Sequence, residues 1–321
     1  MFTCSAFATD WYVRPNGSTY GSASGRDWNN AWSGLGNIGW SGLSPGDTVW
    51  VAGGTYTTGV VPNKSGTSSS PITVARARSD STACTGASGW SSGYDSLVTQ
   101  RSAQIAYEHN MQYVVISGRI TASGGKWGQK PTRGSQCGLP IYMRALTQGK
   151  GVAFNAADDN MTVEYVEMQG AGKINVTGDH RGIDMTPPSG TASGNTFSHL
   201  WIHDWESGVY CVGASSPVFE YLIMEDIAPQ NTASYHPNGI IIWGCPNGTV
   251  RYSIFRKGPH GLGCGEGVFF EQSGGSGGWN IYGNVFAHLN YVGLKAIEVT
   301  SAVGPMNVYN NTFIDILVGS L

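Results

Sequence analysis

The chain has 321 residues, a net charge of -3, a charged fraction of 12% and 47 glycines. Charged residues normally make up roughly 25% of a soluble domain. Here Gly, Asn and Ser separate short apolar runs, which excludes a protein with many surface helices and favours an all-β fold. A weakly acidic chain without a Lys/Arg cluster offers no field for a nucleic-acid backbone, so we predict no nucleic-acid partner. No apolar run is long enough for a spanning helix, so we predict no membrane span.

The first residues, MFTCSAFATDWYV, contain Ala6-Phe7-Ala8, which has the A-x-A form of a signal-peptidase site. We therefore predict that residues 1–8 are the remainder of a signal peptide and that residues 9–321 form a single domain. A secreted or extracellular protein is expected, with the periplasm or the cell surface as variants of that location. A chance pair of alanines is the alternative, because no basic segment precedes the apolar stretch.

Six cysteines bear on redox state and on metal binding. Cys4 would leave with the signal, so that an odd number remains and at least one thiol is free or pairs between chains. Cys84 and Cys137 both lie in Gly- and Ser-rich loops, and we predict a disulfide between them. No CxxC pair is accompanied by a matching set of histidines, so the sequence predicts no structural zinc.

Short strands between turns begin early in the chain. The segment SPGDTVWVAGGTY, from Ser44 to Tyr56, places a four-residue apolar run between two turns, and its alternation points Val49 and Val51 to a common buried side. Further strand-length runs bounded by Gly, Pro or Asn are YVVISG (113–118), PIYMRA (140–145) and GVAFNA (151–156).

From Met161 onward the sequence repeats itself. The second and seventh positions of each repeat are apolar, and a Gly follows after a gap of variable length. The repeats are TVEYVEMQG (162–170), TFSHLWIHD (196–204), VFEYLIMED (218–226), TVRYSIFRK (249–257), NIYGNVFAH (280–288) and NVYNNTFID (307–315). Successive second positions lie 34, 22, 31, 31 and 27 residues apart, which indicates turns of 22 residues with insertions added.

Strands this short cannot bury an apolar face alone, but stacking one turn on the next gives them a continuous core. The repeat therefore predicts a parallel β-solenoid. A propeller would need units of roughly 40 to 45 residues, and a sandwich would show two-residue hairpin turns. At the fifth position Asn284 and Asn311 recur at a bend, either as a ladder of hydrogen-bonded amides or simply as favourable turn residues.

The chain ends at VGSL, directly after a repeat glycine and without a polar cap. Because solenoids need a polar terminal cap, we expect the native chain to continue past Leu321 or to dock on another surface.

The blocks WYVRPNGSTYGSASGRDWNNAWSGL, SPGDTVWVAGGTY and SSPITVARA resemble the first coils of secreted right-handed parallel β-helix proteins of the pectate lyase-like superfamily. The resemblance is specific over Trp11 to Ala77, and the repeat extends it over nearly the whole chain. It implies a right-handed parallel β-helix. It does not choose a reaction, because the superfamily includes polysaccharide lyases, glycoside hydrolases, esterases and non-catalytic surface proteins. No acidic cluster reproduces the calcium site of pectate lyases, so Ca2+ stays an unsupported option.

Three repeats carry long insertions before the Gly, at 171–181, 227–238 and 258–266. All three leave the same corner of the coil, so we expect them to line one groove. The candidate residues in them are Asp179, His180, Arg181, Tyr235, His236, His260 and Glu266. On the strands after each Gly, alternation points outward Asp184, Tyr210, Trp243, Glu271 and Lys295. His203-Asp204 at the base of this corner either supports the groove or is a solvated pair of side chains. We expect Trp201 and Trp205 to pack in the core and not to bind sugar rings.

A groove with aromatic and polar side chains suits an extended polysaccharide. For β-elimination on a uronic-acid polymer, the residues that would neutralise the carboxylate or take the proton are Arg181, Lys295, His180 and His236. For hydrolysis, the candidate carboxylate pairs are Asp184 or Asp179 with Glu271. Substrate binding is assigned to Asp179, Tyr210, Tyr235, Trp243, His260 and Glu266. The structural alternatives are an ion pair of Arg181 with Asp179 and loop hydrogen bonds for the histidines.

The sequence therefore predicts a secreted carbohydrate-active protein that binds a polysaccharide along a β-helix, as a polysaccharide lyase or a glycoside hydrolase. The alternative is a non-catalytic glycan-binding, adhesion or structural β-helix protein.

Overall fold

The computed structural model describes residues 8–123, 139–142, 149–172, 180–227, 237–260, 265–271, 276–289, 292–295 and 304–316. Within these ranges the chain forms short strands, one four-residue α-helix (Thr82–Thr85) and three 3-10 turns (Leu35–Asn37, Trp40–Gly42 and Ser92–Tyr94). None of the described helices has the length and apolar character needed to cross a membrane. The predicted all-β class is confirmed.

The strands are short throughout. The first group is β1 Asp10–Arg14, β2 Trp32–Ser33, β3 Thr48–Val51, β4 Gly54–Tyr56, β5 Ile72–Arg76, β6 Val98–Arg101, β7 Ile105–Tyr107, β8 Val114–Ser117, β9 Leu139–Tyr142 and β10 Gly149–Phe154. The second is β11 Thr162–Glu164, β12 Val166–Gln169, β13 His180–Met185, β14 Ala192–Ser193, β15 Thr196–Ser198, β16 Trp201–His203, β17 Ser207–Val212, β18 Ala214–Ser215, β19 Val218–Glu220 and β20 Ile223–Glu225. The third is β21 Asn238–Trp243, β22 Thr249–Arg251, β23 Ile254–Arg256, β24 Glu266–Phe270, β25 Asn280–Tyr282, β26 Val285–Ala287, β27 Val292–Lys295, β28 Asn307–Tyr309 and β29 Thr312–Ile314.

Three long parallel sheets run side by side. Sheet 1 has the order β2-β1-β3-β5-β8-β11-β15-β19-β22-β25-β28, sheet 2 has β29-β26-β23-β20-β16-β12-β9-β6-β4, and sheet 3 has β27-β24-β21-β17-β13-β10-β7. A complete coil such as β11, β12 and β13 gives one strand to each sheet in turn, and the next coil pairs with it in parallel. The predicted parallel β-helix is confirmed. We call the turns that lead from sheet 2 to sheet 3 the loop corner.

The strand register reproduces the sequence repeat. The second positions pair in a continuous column of sheet 1, and the seventh positions pair in a column of sheet 2. The first column is Val163, Phe197, Phe219, Val250, Ile281 and Val308, and the second is Met168, Ile202, Met224, Phe255, Phe286 and Phe313. Except in the last coil, where Val308 and Phe313 are exposed, these side chains lie in the buried core. The period of two along each strand therefore fills the interior coil by coil.

The first coils follow the predicted pattern as well. Val49 and Val51 on β3 are fully buried in the same core. The turn before β3 is held by Asp47, whose carboxylate accepts hydrogen bonds from the Thr9 amide at 2.8 Å and the Trp11 indole at 2.9 Å. A carboxylate at this turn thus ties β1 to β3.

The amides at the fifth repeat position form the ladder that the sequence left open. Asn284 Nδ2 donates to Asn311 Oδ1 at 3.0 Å, and Asn284 Oδ1 accepts from the Ser253 amide at 2.9 Å. Asn284 also donates to the Val250 carbonyl at 3.0 Å. These bonds satisfy the backbone of the bend between sheets 1 and 2, which explains the amide there.

The predicted disulfide is wrong. Cys211 on β17 is bonded to Cys245, which follows β21. Cys84 is a free, buried thiol in an aromatic cluster with Trp28, and burial raises its pKa to about 11. The prediction paired two cysteines because both lie in Gly- and Ser-rich loops. Cys211 and Cys245 are instead brought together by the stacking of adjacent coils. Cys4, Cys137 and residues 317–321 lie outside the described residues, and the division into residues 1–8 and 9–321 stays a prediction.

Candidate functional site

Sheet 3 carries the predicted outward-facing residues in two neighbouring columns. In one column Asp184 on β13 pairs with Tyr210 on β17, and the column continues through sheet 3 to Lys295 on β27. In the other column Trp243 ends β21, and Glu271 follows β24. The residues that alternate with them, such as Ile183 and Val209, are in the core. The alternation places Asp184, Tyr210, Trp243 and Glu271 on the outer side of sheet 3.

The carboxylate of Asp184 is fully buried and is shared by two cations. Lys150 Nζ lies 2.6 Å from Asp184 Oδ2, and Arg181 Nη1 lies 3.1 Å from the same oxygen. Thr186 Oγ1 donates to Oδ1 at 2.5 Å. Strand pairing creates this group, because Lys150 on β10 stands opposite Arg181 on β13. Two cations against one carboxylate leave these three side chains with a positive balance.

The guanidinium of Arg181 also lies on an aromatic ring. Its Cζ is 3.6 Å from the centre of the Tyr210 ring on the next coil. Cation-π contacts of this kind contribute about 0.5 to 2 kcal/mol. Asp184 on one side and Tyr210 on the other hold the guanidinium in one orientation. Because a guanidinium has five N–H donors, a group fixed in this way can bind a second carboxylate.

Other predicted residues have different surroundings. His180 is 1% exposed, and its ring centre lies 4.7 Å from that of Trp205. It is therefore packed inside the protein where the loop corner meets sheet 3. Glu266 is buried opposite Asn238. Trp243 is 39% exposed and presents the open aromatic surface of this sheet. Asp179, Tyr235 and His236 lie outside the described residues, as does the side chain of Lys295.

The two carboxylates proposed for hydrolysis lie far apart in the register. Asp184 belongs to β13 and Glu271 follows β24, with β17 and β21 between them. Three strand spacings of about 4.8 Å put them roughly 14 Å apart along the helix axis. Glycosidase carboxylates stand about 5 to 9.5 Å apart. Asp184 is moreover occupied by two cations, so the described residues do not support this pair as acid and base.

A second polar cluster lies at the loop corner. His203 is bracketed by two carboxylates, with Nδ1 3.0 Å from Asp204 Oδ2 and Nε2 3.3 Å from Glu167 Oε1. Gln169 Nε2 donates to Asp204 Oδ2 at 2.8 Å. All four side chains are buried. The sequence left His203-Asp204 open between a support of the groove and a solvated pair, and nothing in it linked Glu167 to them, because that contact depends on adjacent coils.

His260 completes this cluster from a later coil. Its Nδ1 lies 2.7 Å from Asp204 Oδ1 and 3.4 Å from Asp226 Oδ2, and its backbone amide donates to Asp226 Oδ2 at 3.1 Å. These donor atoms lie within 4.8 Å of one another, a spacing that a divalent cation also accepts. One nitrogen and two carboxylates are not the oxygen set that calcium prefers. Because His260 is already hydrogen-bonded to both carboxylates, we interpret the group as a hydrogen-bonded cluster.

The buried hydrogen bonds set the charges of the cluster. Burial raises the pKa of Asp204, but hydrogen bonds from His203 and Gln169 outweigh it and lower that pKa to about 2. Burial lowers the pKa of His203, but hydrogen bonds to Asp204 and Glu167 outweigh it, and the net shift is upward. Asp204 is therefore an anion at neutral pH, and these hydrogen bonds stabilise the protonated form of His203.

We expect the free energy of unfolding to depend on pH through the ionisation of Asp204. Its pKa falls from 3.8 to about 2 on folding, so the ionised carboxylate contributes roughly 2 kcal/mol above pH 4, and this contribution is lost as the pH falls towards 2. The difference in unfolding free energy between the wild type and Asp204→Asn should shrink over that interval. The raised pKa of His203 acts in the opposite sense, because its contribution is present below about pH 6.5 and is lost as the pH rises through the folded value. Urea unfolding at a series of pH values measures both, and a difference independent of pH would contradict the assignment.

Comparison with solved structures finds proteins of low sequence identity that align with most of this chain. Alginate lyase from Paenibacillus sp. str. FPU-7 is 15% identical, with a TM-score of 0.48 over 96% of this chain and 99% of that chain. XylC in complex with xylose is 10% identical, with a TM-score of 0.50 over 95% of this chain and 66% of that chain. GH136 lacto-N-biosidase from Eubacterium ramulus is 11% identical, with a TM-score of 0.39 over 96% and 68%. No protein-family model and no curated protein matches the sequence. At such identities the likeness concerns the fold, a parallel β-helix, and not the reaction.

Proposed function

We propose that this chain is an exported polysaccharide lyase that binds a uronic-acid polymer across sheet 3 and cleaves it by β-elimination. The observation that carries the proposal is the Arg181 guanidinium fixed between Asp184 and Tyr210, beside Lys150. These groups come from three adjacent coils, so they lie together on one outer surface.

The charge balance of the group fits a uronate. Lys150 and Arg181 together carry two positive charges, and Asp184 carries one negative charge. A sugar carboxylate bound here would add a second anion beside these two cations. The same cations stabilise the negative charge that develops on that carboxylate when the neighbouring carbon loses its proton.

The reaction moves one proton and one pair of electrons within the substrate. Tyr210, acting in its phenolate form under the guanidinium, accepts the proton on C5 and becomes a neutral phenol. The electrons of the C5–H bond form a C4=C5 double bond, and the C4–O bond breaks, so that the leaving oxygen takes up a proton. The step needs no water and no oxidant. It creates one chain end that carries an unsaturated sugar and one chain end that carries an intact sugar.

Trp243 adds a binding surface on the same sheet. Its exposed ring suits a sugar placed further along the polymer, two coils from Arg181. A protein that binds a glycan without cleaving it would use the same ring, and this is the second candidate function.

A product assay tests the proposal. The full chain is incubated with alginate, polygalacturonate and chondroitin sulfate, and with neutral xylan as the matched control. Ultraviolet absorbance of the unsaturated uronate and new reducing ends are measured on the same samples, together with binding by polymer pull-down. Both signals with an acidic polymer and neither with xylan support a lyase. Reducing ends without the absorbance, binding without products, or no interaction with any acidic polymer would each overturn it.

A further inference from the structure

The loop corner contains a line of hydrogen-bonded groups that the proposed elimination does not use. It runs from Glu167 on β12 through His203 on β16 to Asp204, and from Asp204 to His260. The inner three members are buried, whereas the side chain of His260 is 54% exposed. The line therefore leads from the interior of the solenoid to its surface.

His260 is held by two carboxylates with different tasks. Asp226 accepts the hydrogen bond from the His260 backbone amide, and Gly258 lies so close to the Asp226 carboxylate that a Cβ there would collide with it. Asp204 contacts the ring at Nδ1, with an Nδ1 to Oδ1 distance of 2.7 Å. Asp226 thus places the loop, and Asp204 fixes the orientation of the ring.

The tautomer of His260 follows from this contact. Asp204 is an anion, so it accepts a hydrogen bond, and Nδ1 must carry the proton. The other nitrogen, Nε2, is then the atom that gains and loses a proton. Among the described residues no group is within hydrogen-bond distance of Nε2, and the side chain as a whole is 54% exposed.

The charged groups around His260 come from several coils. Asp204 and Asp226 contact its ring directly, and behind Asp204 stand His203 and Glu167. On the adjoining strands, Arg256 forms an ion pair with Glu225 at 2.8 Å, so the opposite charges of these two side chains cancel. The groups that contact the ring directly are therefore the two carboxylates of Asp204 and Asp226.

The cluster adjoins the cation group on sheet 3. Trp205 follows Asp204 directly, and its ring contacts His180, which immediately precedes Arg181. The indole of Trp205 donates to the Met168 carbonyl at 2.9 Å and so anchors this connection in the core. The cluster is thus connected through Trp205 and His180 to the strand that carries Arg181.

We propose that His260 is a catalytic acid of this site, and that Asp204, supported by His203 and Glu167, is its positioning residue. The proposal rests on the proposed lyase function for its reaction. As the C5 proton passes to the Tyr210 phenolate and the C4=C5 bond forms, the C4–O bond breaks and the leaving oxygen takes the proton from Nε2 of the protonated His260 ring. Both residues then return to their starting states by proton exchange with water.

The activity test compares His260→Gln and His260→Ala with His288→Gln. His288 is the matched control, because it also lies at the loop corner, is 55% exposed and is paired with an aspartate, Asp315, at 3.4 Å. Loss of a positioned acid should lower kcat by roughly 10² to 10⁴, with KM little changed, and added imidazole should restore activity to His260→Ala. His288→Gln should be unchanged. If the wild type cleaves the polymer and His260→Gln keeps the wild-type kcat, the catalytic role of His260 is refuted while the proposed lyase function stands.

A second measurement does not depend on activity. Nitrogen NMR of the histidine rings at mildly alkaline pH should show the Nδ1–H tautomer for His260 in the wild type, and a shift towards the Nε2–H tautomer in Asp204→Asn. An unchanged tautomer would refute the role of Asp204. If the wild type cleaves no polymer, the catalytic role falls with the proposed function, and the tautomer still decides the positioning role. Activity that disappears on dialysis against a chelator and returns with a divalent cation only when His260 is present would make the cluster a metal site and overturn the proposal.

Discussion

Replacing Arg181 by alanine is expected to lower kcat/KM on an acidic polymer by roughly 10² to 10³, the loss typical of one preorganised donor to developing charge. The change removes the guanidinium that Asp184 and Tyr210 hold in place, and it leaves Lys150 as the remaining cation. Arg181→Lys keeps the charge but loses the planar fork and the stacking on Tyr210, so an intermediate loss is expected. Initial rates of ultraviolet absorbance measure both variants.

Arg251→Ala is the matched control for this experiment. Arg251 is also paired with a carboxylate of the neighbouring coil, Glu220 at 2.6 Å, but it belongs to sheet 1 and not to sheet 3. Its removal should leave kcat/KM unchanged. Equal losses in Arg181→Ala and Arg251→Ala would mean that the effect reflects general damage to the solenoid, and the assignment of Arg181 would fail.

Trp205→Ala is expected to have the largest effect on stability, a loss of about 3 to 5 kcal/mol in the free energy of unfolding. The indole is fully buried, and its N–H donates to the Met168 carbonyl at 2.9 Å. Trp205→Phe keeps most of the ring but leaves that carbonyl without its donor, so a loss of roughly 1 to 3 kcal/mol is expected. Denaturant midpoints with unchanged slopes provide the measurement.

Trp243→Ala separates stability from binding. Trp243 is 39% exposed, and its replacement should change the free energy of unfolding by no more than about 0.5 kcal/mol. In the proposed function it should instead raise KM for long polymers. A destabilisation of Trp243→Ala comparable to that of Trp205→Ala would show that the ring is part of the core, against its exposure.

The repeating part of the fold could be predicted from the sequence because its signal is local and recurs. A period of two within each strand and the recurrence of Val163, Phe197 and Phe219 along the chain are enough to align the coils, and the register agrees residue by residue. The backbone conformation at the corner between sheets 1 and 2 was harder to predict. Tyr165, His199 and similar residues occupy it with φ near +55°, where Gly or Asn is expected. Their rings stack 4.5 Å apart on successive coils, and this interaction between coils is absent from any single repeat.

The candidate site could be predicted only in part. Alternation after each Gly correctly placed Asp184 and Tyr210 on the outer side of sheet 3. Lys150 was missed because it lies before the clear repeats, and it reaches Asp184 only through the pairing of β10 with β13. The contacts of Asp204 were missed for a similar reason, since Glu167 and His260 approach it from other coils. Loop lengths vary between coils, so the sequence does not show which loop residue returns to which carboxylate.

The bond between Cys211 and Cys245 has a mechanical consequence for a protein bound to a polymer under tension. When such a solenoid is pulled from its C-terminal side, coils detach one after another, because each is held only by its neighbour. Once peeling reaches Cys245, the bond carries the load directly to Cys211, 34 residues earlier in the chain, while the segment between them stays closed. β17 is then still paired with β13 on one side and β21 on the other, so the load acts on a strand held in the middle of sheet 3 and not on a strand at its edge. The coils that carry Lys150 and Arg181 precede this crosslink, so the force reaches them only after β17 has been loaded.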